Sequence, residues 1–124
     1  MRVDQANTSK VLDVEGTLAR FGGDKDLFRE MAGIVIEDAP RLAKELRAGV
    51  LAADSTAIQM KAHALKGLVL GCGGERTGLT AQKLEDAGKD HRLEAATTQM
   101  ADCETELRHF LEAIRPYAQG KSPG

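Results

Sequence analysis

The chain has 124 residues, a length that suits one domain, and 42% of them are hydrophobic and 29% charged, as in an ordinary globular protein. A formal net charge of −2, with only one Tyr, three Phe and no Trp, gives no general attraction to nucleic acid and no stacking aromatics. The polar N-terminus and the short apolar runs predict neither a signal peptide nor a membrane span, so we expect a cytoplasmic protein.

Two helices are predicted in the first half of the chain. Residues 1–10 are polar and are expected to form a flexible lead. A short amphipathic helix should run from about Val11 to Phe21, where two glycines end it. Asp24 is a plausible N-cap for a long second helix that reaches about Leu51. Pro40 lies inside this helix and predicts a kink or a restart, because proline cannot donate a backbone hydrogen bond.

Three more helices follow. The predicted spans are Ser55 to Gly71 after a cap at Asp54 or Ser55, Glu75 to Ala87, and Arg92 to Tyr117, before a flexible tail at residues 118–124. No segment alternates with the period of a strand. Short connections between long amphipathic helices favour antiparallel neighbours. The sequence therefore predicts an all-α fold over residues 11–117: an antiparallel, up-down-up-down four-helix bundle with a short extra N-terminal helix.

The third helix carries the most informative residues. At ~100° per residue its apolar positions form one core-facing stripe. That stripe comprises Ile58, Ala62, Leu65, Val69 and Cys72. His63 lies roughly 140° from the centre of the stripe and should face water, with Gly67 one turn on and Lys66 on the shoulder. Most single histidines on a helix surface have no functional role. An exposed imidazole with an open approach and a nearby cation, however, suits a group that receives an anion from a partner.

Metal binding, a phosphate-binding loop and a nucleophilic triad are the other kinds of site that the sequence could contain. Glu106 and His109 form one Glu-x-x-His element of the type found in di-iron bundles, but such sites need a second element, and neither His63 nor His91 has a Glu three residues earlier. We therefore expect no metal or other cofactor, and we interpret His91 and His109 as capping or surface residues. The sequence also shows neither a phosphate-binding glycine loop of the P-loop type nor a nucleophilic triad, although a triad assembled in space stays open.

The chain resembles the histidine-containing phosphotransfer (HPt) domains of multistep two-component phosphorelays over about residues 11–117. The resemblance is carried by Ala62-His63-Ala64-Leu65-Lys66-Gly67 followed by Gly73, with support from Phe21-Gly22-Gly23-Asp24, Glu37-Asp38-Ala39-Pro40 and Leu84-Glu85. It implies a four-helix bundle, in agreement with the periodicity. It also implies that His63 is the phosphorylated residue, Lys66 the neighbouring cation and Gly67 the small residue beside it.

The resemblance further implies a phosphocarrier that works between receiver-domain aspartates and a sensor or hybrid histidine kinase, with no metal or kinase activity of its own. His63 would attack through Nε2, and the receiver would bring Mg²⁺ and a lysine. Gln59 is a candidate for orienting the ring or the phosphoryl group. Met60 and Leu70 are apolar residues on the outward face and predict a docking patch.

A phosphorylation-independent adaptor and a plain structural bundle are the two rival functions. We expect a monomer that binds neither nucleic acid nor membrane.

Overall fold

The computed structural model describes residues 10–124, and these residues form five helices and no strand. The helices are α1 (Val14–Arg20), α2 (Lys25–Leu51), α3 (Ser55–Gly71), α4 (Glu75–Lys89) and α5 (Leu93–Ala118). The flexible lead predicted for residues 1–10 lies outside the described residues except for its last residue. None of the helices within residues 10–124 combines the length and apolar character that a membrane crossing requires.

Aspartate side chains fix where the first three helices begin. The Asp24 and Asp54 carboxylates accept hydrogen bonds from the backbone N–H of Leu27 and Ala57 at 3.0 and 3.1 Å. Asp13 does the same for Gly16 at 3.0 Å. Such bonds satisfy amides that have no partner within the helix. The predicted start of the first helix near Val11 is therefore wrong by about one turn, and Asp54 rather than Ser55 caps α3.

Both helical prolines are accommodated within continuous helices. Helix α2 runs through Pro40 as one element, so the restart that the sequence suggested does not occur. Val35, Ala39 and Ala43 on the same helix are buried in the core on either side of the proline. Since most helix stability in proteins comes from packing of an apolar face, this burial offsets the hydrogen bond that Pro40 cannot donate. Pro116 similarly lies in the last turns of α5.

The four long helices pack in a ring in which α2 and α4 each contact both α3 and α5. The predicted stripe of α3 is buried: Ile58, Ala62, Leu65 and Val69 have no exposed surface, and Cys72 is 1% exposed. Large side chains from the other helices complete the core, namely Phe28, Leu46, Leu84, Phe110 and Ile114. The predicted all-α, antiparallel four-helix bundle with a short N-terminal helix is confirmed.

Two glycines bring α3 and α4 close together. A Cβ built on Gly88 would lie 2.7 Å from the backbone nitrogen of Gln59 and 2.8 Å from the carbonyl oxygen of Ser55, so no side chain fits there. Near the other end of α4, the side chain of Leu70 occupies the space where a Cβ of Gly78 would be. These contacts set the distance between the two helices that carry the site described below.

Helix α1 is fastened to the turn that joins α3 and α4. The backbone N–H of Asp13 donates to the carbonyl oxygen of Gly73 at 2.9 Å. The Arg20 guanidinium donates to the carbonyl oxygen of Leu70 at 3.2 Å, near the C-terminal end of α3. A cation is favourable at that end because the last carbonyls of a helix are unpaired and carry partial negative charge. The short helix therefore holds the α3–α4 turn in place.

Candidate functional site

His63 projects from the middle of α3, and its side chain is 67% exposed. The ring lies beside an open depression that is lined by Gln59, Met60, His63 and Glu85. The stripe that the sequence placed in the core is buried, so the opposite face, which carries the histidine, is left to solvent. The exposure predicted for His63 from helix periodicity therefore agrees with the structure.

Glu85 on α4 joins His63 and Lys66. Its Oε2 lies 3.0 Å from His63 Nδ1, and its Oε1 lies 2.8 Å from Lys66 Nζ. The Glu85 side chain is only 17% exposed, so the carboxylate lies under the rim of the depression. Glu85 is a site residue that no sequence motif singles out. The signal for it in the sequence is the Leu84-Glu85 pair, which is part of the family resemblance.

The ionisation of Glu85 decides which nitrogen of His63 is free. Burial alone would raise the pKa of Glu85, but hydrogen bonds from Lys66 and His63, and their charges, outweigh it and hold that pKa below its ordinary value. The carboxylate is therefore ionised at neutral pH and can only accept hydrogen bonds. In the neutral imidazole, Nδ1 must then carry the hydrogen that it shares with Glu85, a tautomer assigned from the hydrogen-bond network. Nε2 consequently bears the lone pair.

Lys66 is held by a second residue of α4. Its Nζ donates to Gln82 Oε1 at 2.8 Å, and Gln82 Nε2 in turn donates to Asp86 Oδ1 at 2.9 Å. The sequence placed Lys66 on the shoulder of the helix, and the structure shows that this shoulder faces α4. The cation therefore lies beside the histidine with its position fixed by an anion and an amide.

The other predicted site residues occupy the same face of α3. Nothing lies within 4 Å of a Cβ built on Gly67, so the surface there is open. Gln59 and Met60 line the depression next to His63, and Met60 is 63% exposed. Leu70 is 39% exposed and packs over Gly78, so it is part surface and part contact between helices. Their roles in orientation and docking stay predictions.

The alternative metal site is arranged as an ion pair. Glu106 Oε2 lies 2.7 Å from Arg76 Nη2, while His109 Nδ1 is 3.9 Å from the other oxygen of Glu106. Within residues 10–124, no three or more His, Cys, Asp or Glu residues cluster as metal ligands would. A metal ion at Glu106 would have to displace the Arg76 guanidinium, which already neutralises the carboxylate.

We expect that neither chelators nor added Fe²⁺, Mn²⁺ or Zn²⁺ will change the melting temperature of the chain. A metal ion present at a hundred times its dissociation constant would stabilise the fold by about 2.7 kcal/mol. For a domain of this size, that would raise the melting temperature by several degrees. Thermal melts with each ion and with EDTA measure the effect. A clear upward shift that disappears in Glu106→Gln would contradict the prediction and restore the metal alternative.

The bundle and its exposed histidine, with a carboxylate on Nδ1 and a lysine alongside, fit the class of histidine phosphotransfer proteins that the motif indicates. The family model described as "Hpt domain" matches residues 30–116, well over half of the chain. The chain therefore belongs to the Hpt domain family, whose members are phosphocarriers that work with kinases and receiver domains in two-component phosphorelays. The predicted family and the function of histidine phosphotransfer are thereby confirmed.

Two solved structures are similar to the whole bundle. One is the histidine-containing phosphotransfer protein B (HptB) from Pseudomonas aeruginosa PAO1, with a TM-score of 0.82 and 20% identity over 91% of this chain and 98% of that one. The other is the HPT domain of a sensor hybrid histidine kinase from Shewanella, with a TM-score of 0.78 and 19% identity over 94% and 97%. At these identities the likeness shows a shared fold. No curated protein sequence is significantly similar to this chain.

Proposed function

We propose that His63 is the phosphoacceptor of this phosphotransfer domain, taking a phosphoryl group from a receiver aspartyl phosphate and passing it to another receiver aspartate. The observation that carries the proposal is the 3.0 Å contact between His63 Nδ1 and Glu85 Oε2. This contact leaves the lone pair on Nε2, the nitrogen not bound by Glu85, in a side chain that is mostly exposed. A phosphorylated partner can therefore reach the nucleophile without any rearrangement of the bundle.

The transfer step uses the lone pair of Nε2. Nε2 attacks the phosphorus in line, a nitrogen–phosphorus bond forms, and the bond to the aspartyl oxygen breaks with its electron pair returning to the carboxylate. Nδ1 keeps its hydrogen, so the ring gains positive charge as the bond forms. The ionised Glu85 already faces that nitrogen and stabilises the developing charge without reorganisation. Transfer to the second receiver reverses these events.

Lys66 and Gly67 serve the phosphoryl group and its donor. Phosphoryl transfer depends mainly on positioning and charge neutralisation, and the Lys66 ammonium supplies one positive charge beside the ring. The open surface at Gly67 gives the partner's phosphoaspartate a path to Nε2. Gln59, on the rim of the same depression, is a candidate for orienting the phosphoryl group, and Met60 and Leu70 are candidates for the docking patch.

The remaining components of the transfer reaction belong to partner proteins. The receiver supplies Mg²⁺ and its own lysine, and this chain brings no cofactor and no kinase activity. Its phosphoryl groups originate from a sensor or hybrid histidine kinase. We expect a cytoplasmic monomer. An adaptor that works without phosphorylation would have no need of a histidine joined to a carboxylate and a lysine, and this network favours the carrier.

The direct test is transfer from a phosphorylated receiver domain. We expect label to move from the receiver to the wild-type chain, to be labile in acid as a phosphohistidine is, and to be recovered on a peptide that contains residue 63. Addition of a second, unphosphorylated receiver should then remove the label. A chain that binds the receiver but never takes label would support the adaptor instead.

Replacement of Glu85 by glutamine should slow transfer to His63 by about tenfold or more. The substitution keeps the size of the side chain but removes the charge that orders Nδ1, and charge-assisted hydrogen bonds contribute about 1.5–3 kcal/mol. Stopped-flow or quenched-flow transfer assays give the rate, and ¹⁵N NMR of the imidazole reports the tautomer. Unchanged transfer together with an unchanged Nδ1–H tautomer would show that Glu85 has no part in activation.

A further inference from the structure

A chain of hydrogen bonds continues from Lys66 away from His63. Lys66 Nζ donates to Gln82 Oε1 at 2.8 Å, and Gln82 Nε2 donates to Asp86 Oδ1 at 2.9 Å, all on partly buried groups. An amide oxygen and nitrogen look alike in shape, so their assignment rests on the partners. The Asp86 carboxylate can only accept, and the ammonium can only donate. Asp86 therefore fixes which end of the Gln82 amide faces Lys66.

The Gln82 amide can orient the ammonium group of Lys66. An ammonium has three N–H donors. Gln82 Oε1 accepts one of them at 2.8 Å, while Glu85 Oε1 lies 2.8 Å from Nζ as an ion pair, so the hydrogen bond to Gln82 sets the direction of the N–H groups that remain. With Glu85 alone, Lys66 could turn about that single contact. A lysine side chain otherwise carries substantial rotamer entropy, which has to be lost when it is fixed on a phosphoryl oxygen.

We propose that Gln82, oriented by Asp86, is a positioning residue that directs a remaining N–H of Lys66 to the phosphoryl group on His63. This inference rests on the proposed phosphoacceptor role of His63. A neutral amide suits the task, because it holds the ammonium without cancelling its charge, which a second carboxylate in contact would do. Asp86 stays one residue removed from the cation and acts through Gln82.

Three variants test the proposal in receiver-to-His63 transfer assays. Gln82→Leu, which keeps the size and helix propensity but removes both polar ends, should lower the maximal transfer rate about threefold to tenfold, as expected for the loss of one hydrogen bond. The receiver concentration at half-maximal rate should not change. Asp86→Ala should have a smaller effect in the same direction, and Asp86→Asn should transfer as the wild type does, because its amide oxygen still accepts from Gln82.

Two further measurements separate positioning from a general effect on the fold. In a Lys66→Ala background, Gln82→Leu should cause no further loss, because the residue through which it acts is gone. The ¹⁵N order parameter of the Lys66 ammonium should fall in Gln82→Leu, with or without a receiver. Lys83→Ala is the matched control on α4, since residue 83 is exposed and lies about 200° around the helix from Glu85.

The failures are distinguishable. A wild-type chain that takes no label overturns the proposed function, whatever Gln82 does. A labelled wild type with Gln82→Leu transferring at the same rate overturns the role of Gln82, and so does an equal further loss in the Lys66→Ala background. If Gln82→Leu unfolds, Asp86→Ala and Asp86→Asn decide: equal rates for these two variants would also overturn it.

Discussion

Replacing His63 by glutamine is expected to abolish phosphate acceptance while leaving the bundle folded. Glutamine is similar in size and its amide N–H can still donate to Glu85, but it has no nucleophilic nitrogen. The position is largely exposed and outside the core, so the free energy of unfolding should change by less than about 1 kcal/mol. Label transfer from a phosphorylated receiver, compared with thermal and urea melts of both proteins, measures the two quantities.

The other two histidines provide the control for this prediction. His91 lies in the turn between α4 and α5 with a positive φ of 56°, and His109 lies on α5 beside Glu106. His91→Gln and His109→Gln should transfer at the wild-type rate, because neither side chain reaches the depression at His63. Undiminished labelling of His63→Gln, or loss of labelling in either control, would show that the phosphoacceptor is a different histidine.

Gly67→Leu should slow transfer strongly and leave the bundle at least as stable. The space beside Gly67 is empty, so a leucine meets no neighbour in the free chain but stands one turn from His63, in the path of the partner. Gly67→Ala should slow transfer less. Both changes remove a poor helix former, which adds up to about 1 kcal/mol to stability. In both variants the transfer rate should therefore fall, while the melting temperature stays the same or rises.

Gly88→Ala is the matched control for these glycine changes. The same methyl group placed there meets backbone atoms of α3 at 2.7 and 2.8 Å, and overpacking of this kind costs about 1–3 kcal/mol. We expect Gly88→Ala to melt earlier and Gly67→Ala to melt at the same temperature or later. Unfolding of Gly67→Leu would mean that residue 67 packs inside the bundle, and the accessible face at His63 would then be placed wrongly.

The sequence was informative where the structure depends on neighbours along the chain. The buried stripe from Ile58 to Cys72, the exposure of His63 and the open position of Gly67 all follow from helix periodicity, which is a local property. The cap at Asp24, and the cap at Asp54 or Ser55, are predictable for the same reason. The start of α1 differs from the prediction because the apolar residues Val11 and Leu12 extend the amphipathic pattern to before Asp13, the residue that caps the helix.

Contacts between helices cannot be derived from the residue pattern of one helix. Glu85 meets His63 across the α3–α4 contact, and no periodicity within either helix sets the register of one against the other. The same holds for Gln82 and Asp86, which look like ordinary polar residues on a helix surface. Pro40 shows the converse case, since its local preference for a break is overridden by the burial of the residues around it.

The spacing of α3 and α4 has a further consequence for the histidine. A hydrogen bond between side chains on two different helices persists only while the helix axes keep their separation. The His63–Glu85 contact is therefore sensitive to the distance between α3 and α4. Gly88 and Gly78 set this separation on either side of the site, because Gly88 lies within one turn of Glu85 and meets Gln59, while Gly78 meets Leu70 about two turns from His63. A side chain that pushes the two helices apart at either glycine would break the bond to Nδ1, and the imidazole would then no longer be held in one tautomer. The availability of the lone pair on Nε2 therefore depends on how closely α3 and α4 pack against each other.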